Sequence, residues 1–352
     1  MSSPKDETPS KRGGLLRLAI GLPIAAVFAW LAFGRIDWSA AGSTLAEARL
    51  MPLIAALALL GVDFSLRTLR WWWMLRTFDK TLPASACFAP FFGSFAANNI
   101  LPMRAGDLIR IVGFRHHIGA PAMRILGTMV IERLLDLFML LAIFFVGLHS
   151  LADGAINPKF ITGAKVIAGI ALGLLVFLIA AERLILRGVR KLEASDFAQQ
   201  RGWLMRGLKW FDQALSTVGI FRSPTMVLAL CGFSIAAWLC EGAVFYCVAG
   251  SLGIDVPPIG AWFAMSTGTL ATLLPSSPGY VGTFDYFAMR GIIAYGAAED
   301  PAAAFTLLAH LMMWLPVTIV GGLFLLAPRG RRALHDAQTL EASQLDSETS
   351  TS

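Results

Sequence analysis

Long apolar runs alternate along this chain with short polar segments, and that alternation sets its elements. Residues 15–33, 50–66, 125–148, 161–181, 225–249 and 303–327 each reach the roughly 17 to 25 residues that cross a hydrocarbon core about 30 Å thick. Two further apolar segments are interrupted. Residues 84–101 run into Pro102, Arg104, Gly106, Asp107 and Arg110, and 259–274 is separated from 286–295 by a stretch holding Pro275, Pro278, Gly279, Gly282 and Asp285. Residues 286–295 are too few to cross alone. Helix breakers at membrane depth are tolerated only where the freed backbone groups face protein or water, so both segments read as re-entrant broken helices. The predicted fold class is an all-α polytopic integral membrane protein. It has six full spans plus two re-entrant elements, or eight spans if those cross.

The order span, break, span occurs twice, over about 50–148 and 225–327, with the first break entered from inside and the second from outside. That is the pattern of an inverted-topology repeat, whose substrate site lies at the repeat interface near the midplane. Polar tails at 1–14 and 334–352 flank a transmembrane domain over 15–333. Between the repeats, 182–224 is expected to be a cytoplasmic amphipathic linker. Its eight lysines and arginines outnumber four acids, with Trp203, Trp210 and Phe211 interleaved, as on a helix lying at anionic headgroups.

Composition excludes a soluble globular class: 56% of the residues are hydrophobic and only 15% charged, against about 25% charged in soluble domains. The net charge of +6 does not indicate a nucleic-acid partner, because the basic residues lie in the short segments between runs. On the topology above, 22 of the 29 lysines and arginines face the cytoplasm, which orients both termini inside. The run over 15–33 exceeds a signal-peptide core of about 7 to 15 residues and is expected to remain as the first span.

Charges inside runs are the candidate chemistry. Glu132, Arg133 and Asp136 share one face of a helix. Their insertion costs roughly 8 to 10 kcal/mol, against about 4.5 to 9 gained from the run's apolar side chains, so they face the interior or a wet cavity. Arg104, Asp107 and Arg110 either bind a lipid phosphate and its substituent or pair with one another and with Glu132 and Asp136. Asn98 and Asn99 either satisfy the broken backbone or touch the headgroup. Ser276, Ser277, Gly279, Gly282 and Asp285 form the second break, whose free amides suit an anionic group; Glu241 and Arg290 are weaker candidates. The run of Arg67, Arg70, Trp71, Trp72 and Trp73 reads most simply as an interfacial belt, with direct lipid-headgroup recognition as the alternative. Cys87, Cys231, Cys240 and Cys247 read as buried packing. His116 and His117 are adjacent, diverge on a helix and have no third ligand in view, so no metal site, catalytic residue or cofactor is expected.

Three ordered motifs carry a resemblance. Asn98, Asn99, Leu101, Pro102, Arg104, Gly106, Asp107 and Arg110, then Glu132, Arg133 and Asp136, then Pro275, Pro278, Gly279, Gly282 and Asp285 together resemble the lysylphosphatidylglycerol synthase transmembrane family. This is the flippase-like domain of the bacterial multiple peptide resistance factor, also found as stand-alone proteins. The resemblance implies movement of an anionic or phosphate-bearing envelope lipid between leaflets of the bacterial cytoplasmic (inner) membrane, with membrane lipids and envelope-lipid biosynthetic enzymes as partners. The chain stops soon after its last span, so the aminoacyl-transferase activity of fused relatives is not expected. Asp285 stands where many relatives have Glu, and Tyr280 where they often have Gly. The alternatives are an integral-membrane lipid-linked transferase using Asp107, Glu132 and Asp136 around a divalent ion, or a non-catalytic assembly partner.

Overall fold

The computed structural model describes residues 12–34, 36–101, 105–151, 158–274, 277–328 and 330–335. Arg104, Met103 and Ser276 lie outside them, as do most of both tails. The described residues are all-helical: α1 Arg12–Phe33, α2 Trp38–Ala46, α3 Leu50–Leu75, α4 Ser85–Ile100, α5 Ala105–Leu108, a π-helical turn Ile109–Gly113, α6 Arg115–Ile118 and α7 Ala122–Ser150. There follow α8 Pro158–Glu193, α9 Asp196–Gln199, α10 Gly202–Ser216, α11 Pro224–Ser251, α12 Pro258–Ala271, α13 Thr283–Ile293 and α14 Glu299–Leu326.

Helix boundaries follow local chemistry. Asp37 accepts from the Ser39 and Ala40 amides at 2.9 and 3.3 Å to start α2. Pro224 opens α11 behind a Ser223 cap, and Pro258 opens α12. Gly119, at φ 72°, ends α6 in the left-handed region.

Among the described residues α3, α11 and α14 are long and apolar enough to cross a bilayer, and the bent pair of α1 and α2 makes up to four. This is fewer than the six runs of the sequence. α7 runs 29 residues, and α8 extends 36 residues, into the basic segment, without a break at residue 182.

Both interrupted segments are broken as the pattern predicts. α4 ends at Ile100 and the chain resumes in the short α5, the π-helical turn and α6. α12 and α13 pack side by side across a break that includes a single 3-10 turn, Pro278–Tyr280. The central pair is α3 against α11. The first broken helix, α4, lies against α14, while the second, α12, lies against α7. These approaches use missing side chains. A Cβ on Gly321 of α14 would sit 2.1 Å from the Phe92 carbonyl of α4, and one on Gly147 of α7 would meet Phe263 of α12, the small-residue contact typical of membrane helices. α10 keeps Trp203, Trp210 and Phe211 exposed.

Candidate functional site

The C-terminal part of α3 does not form an interfacial belt. Arg67, Arg70 and Trp71 are buried, Arg70 and Trp71 completely, and of the belt only Trp73 is substantially exposed. The reason is pairing: Arg70 donates from Nη1 and Nη2 to the two oxygens of Asp136 at 2.8 and 3.1 Å, and from Nη1 to Ser234 Oγ at 2.8 Å. Arg67 reaches three carboxylates, Asp63 at 2.7 Å, Glu241 at 2.5 Å and Asp136 at 3.6 Å. Its guanidinium lies 4.2 Å from the centre of the Trp238 ring, and the indole N–H of Trp238 donates to Asp136 at 3.2 Å. A five-residue ionic cluster, three carboxylates and two guanidiniums, therefore ties α3, α7 and α11 together inside a medium that punishes an unpaired charge.

A second pair lies beside it. Arg110, fully buried on the π-helical turn, donates to Glu132 at 2.9 and 3.4 Å. Its guanidinium stacks 3.8 Å from the Trp71 ring centre and 4.6 Å from that of Phe91. The planar, weakly hydrated guanidinium suits this position between aromatic faces. Neither Arg110 nor Glu132 lines the cavity described below.

The first break is closed by reciprocal bonds. Asn98 donates from its amide to Asp107 at 2.9 Å and accepts the Asp107 backbone N–H at 3.3 Å. Gly106 permits this, since a Cβ there would fall 1.9 Å from the Ser94 carbonyl. Asn99 instead holds α4 to α14 by donating to Thr318 Oγ1 at 2.8 Å. Arg133, with a 41% exposed side chain, stands 3.6 Å from Asp107.

At the second break Asp285 accepts the Gly282 N–H at 2.8 Å, a capping bond that starts α13. Its other oxygen lies 2.7 Å from Nδ1 of His310, whose Nε2 is 2.9 Å from the Gly279 carbonyl. Ser277 donates to the Val281 carbonyl at 3.1 Å. Gly279 and Gly282 have φ of 70° and 88°, and Tyr280, the residue standing in an expected glycine place, is itself left-handed at φ 61°. A bulky residue there is unusual.

Between the two breaks is a partly open cavity of about 570 Å³. Asn98, Asn99 and Asp107 line it from the first break, Gly279 and Tyr280 from the second, and Arg67, Arg133, Asp136, Glu241 and His310 from the helices around it. Phe64, Leu137, Leu140, Trp238 and Met313 supply apolar wall. Of the residues singled out in the sequence, Asn98, Asn99, Asp107, Arg133, Asp136, Gly279 and the weaker candidate Glu241 meet here. Arg110, Glu132, Ser277, Gly282 and Asp285 stand outside the wall. Arg67 and Arg70 read in the sequence as an interfacial belt, and Asp63 and His310 do not stand out there, although the signal is present: ionisable residues within apolar runs, with Asp63 and Arg67 one helical turn apart.

A bundle of apolar helices closed around internal ion pairs, with a polar cavity between two broken helices, defines a multi-pass integral membrane protein. The chain belongs to the lysylphosphatidylglycerol synthase TM region family, which it matches over residues 15–321. It is 26% identical over 345 residues to a protein named Glycosyltransferase AglD of Haloferax volcanii, covering 88% of this chain and 53% of that protein. It thus spans about half the length of that relative. It is 22% identical over 230 residues to the UPF0104 membrane protein MJ1078 of Methanocaldococcus jannaschii, covering 64% of this chain and 91% of that protein.

Proposed function

We propose that this protein translocates an anionic or phosphate-bearing lipid between the leaflets of the cytoplasmic membrane, the headgroup passing through the cavity while the acyl chains stay in the bilayer. The observation that carries this is the cavity between the two broken helices. Its roughly 570 Å³ falls in the range of small-molecule sites, about 300 to 1,000 Å³, enough for a phospholipid headgroup but not its chains. Arg133, more exposed than the paired Arg67 and Arg70, is the cation best able to offer bidentate donors to a phosphate.

The finer topology belongs to the same reading: six spans, two re-entrant elements entered from opposite faces, and both termini cytoplasmic. The reciprocal packing of α4 on α14 and α12 on α7 around the α3–α11 pair supports an inverted repeat, because a two-fold axis through that pair exchanges the other two contacts. Cysteines introduced by Met103→Cys and Ser277→Cys check it. Labelling of the first from the cytoplasmic side and the second from the outside is expected; the reverse would overturn the orientation.

The deciding experiment follows transbilayer movement of labelled phosphatidylglycerol, an aminoacylated form, a polyprenyl phosphate and a neutral control in liposomes containing the purified protein. Selective movement of a phosphate-bearing lipid, lost in folded Arg133→Gln and Asp107→Asn proteins, is expected. No movement of any lipid by folded protein sinks the reading. The glycosyltransferase name of one relative favours the second reading, a lipid-linked transferase, which predicts divalent-ion-dependent headgroup turnover by the same preparation.

A further inference from the structure

The cluster on α3, α7 and α11 is not balanced. It contains three carboxylates, Asp63, Asp136 and Glu241, and two guanidiniums, Arg67 and Arg70, all buried. The neighbouring charged groups among the described residues do not supply the missing cation. Arg110 is matched by Glu132, Arg133 of α7 by Asp107 of α5, and His310 of α14 by Asp285 of α13. With all three acids ionised, the cluster would carry one uncompensated negative charge in a low-dielectric interior, which is costly unless a proton neutralises it.

The bonding pattern says where that proton sits. Asp136 accepts three donors besides the nearby Arg67, namely both Arg70 nitrogens and the Trp238 N–H, the set that favours an ionised carboxylate. Asp63 accepts only from Arg67 Nε, its second oxygen has no partner, and it does not touch the cavity. Glu241 accepts one bond, from Arg67 to Oε2, and lines the cavity. It alone combines spare bonding capacity with access to water.

We infer that this cluster holds one exchangeable proton, seated on Glu241 at the cavity wall, and that the proton is the coupling ion for the lipid movement proposed above, on which that second clause rests. The transfer is simple: cavity hydronium gives its proton to the Glu241 carboxylate, leaving water and a neutral carboxylic acid. Loss of the proton turns the cavity wall negative by one charge. An anionic headgroup is then repelled, so headgroup and proton bind together. By linkage, each raises the other's affinity by the same factor. Lipid and proton therefore move in the same direction.

The test uses the full-length protein in nanodiscs and infrared difference spectra across a pH titration. A carbonyl stretch from one protonated carboxylic acid, lost at high pH, is expected in wild type. It is absent in Glu241→Gln, which removes the seat. It is also absent in Asp63→Asn, which leaves two acids facing two arginines and no excess, so this second variant carries the test if the first does not fold. Absence of the band in folded wild type, or its persistence in Glu241→Gln, overturns the inference. In liposomes with an entrapped pH dye, proton uptake accompanying lipid movement supports coupling. Lipid movement with neither band nor proton signal overturns coupling and leaves translocation standing. The band with no lipid movement supports the proton site and overturns translocation.

Discussion

Arg70 sits at zero exposure with Asp136 bonded through both oxygens, so its value lies in what its absence would leave behind. Arg70→Ala strands a buried carboxylate and is expected to cost about 3 to 5 kcal/mol. Arg70→Met combined with Asp136→Leu removes both charges and is expected to cost less, as measured by denaturant unfolding in mixed micelles. Gly282 is constrained differently. Its φ is 88° and an added Cβ would fall 2.3 Å from the Ala25 carbonyl. Gly282→Ala is therefore expected to destabilise by more than about 1 kcal/mol in the same assay, and to weaken contact between α1 and α13 first. At this scale the sequence was partly legible. Proline and glycine marked both breaks, but nothing local distinguished Arg70, held between three helices, from Arg76, whose guanidinium lies 4.9 Å from the Trp72 ring centre.

For single elements, close approach decides the outcome. α14 meets α4 where Gly321 faces the Phe92 carbonyl, so Gly321→Leu should force these helices apart and lower thermal stability sharply. Gly322→Leu, one position along in open space, should be nearly neutral, and paired melting curves compare the two. α10 is a surface element with Trp203, Trp210 and Phe211 exposed and basic residues around them. In vesicles its tryptophans should be quenched by brominated lipid, and Lys209→Glu with Arg206→Glu should weaken that quenching at low salt more than at high salt. The linker's amphipathic character was readable from its composition. The continuity of α8 across residue 182 was not, because the change from apolar to basic residues resembles a helix end even where the backbone continues.

Across the whole molecule, the reciprocal contacts of the two halves make the strongest prediction. Gly93 on α4 approaches Leu325 on α14, and Gly147 on α7 approaches Phe263 on α12. Cysteine pairs at 93 and 325 and at 147 and 263 should both form cross-links in native membranes. Formation of one without the other would contradict the proposed inverted repeat. The cavity is a product of this scale, since its polar lining comes from α3, α4, α5, α7, α11, α12, the second break and α14, and no contiguous stretch contains it.

The sequence by itself determined the helical membrane class, the two breaks and the presence of intramembrane charge. Each follows from properties that neighbouring residues share, namely run length, helix-breaking backbone and the cost of a charge in hydrocarbon. Only the tertiary structure decided which charges meet. It sent Arg110 and Glu132 to an aromatic-lined pair away from the cavity, Arg133 and Asp107 to its wall, and Arg67 and Arg70 from an apparent interface belt to the core. The physical reason is that an ion pair inside a bundle is chosen by the packing of three or more helices, and residues far apart in the chain, such as Arg70 and Asp136, are neighbours only after those helices assemble.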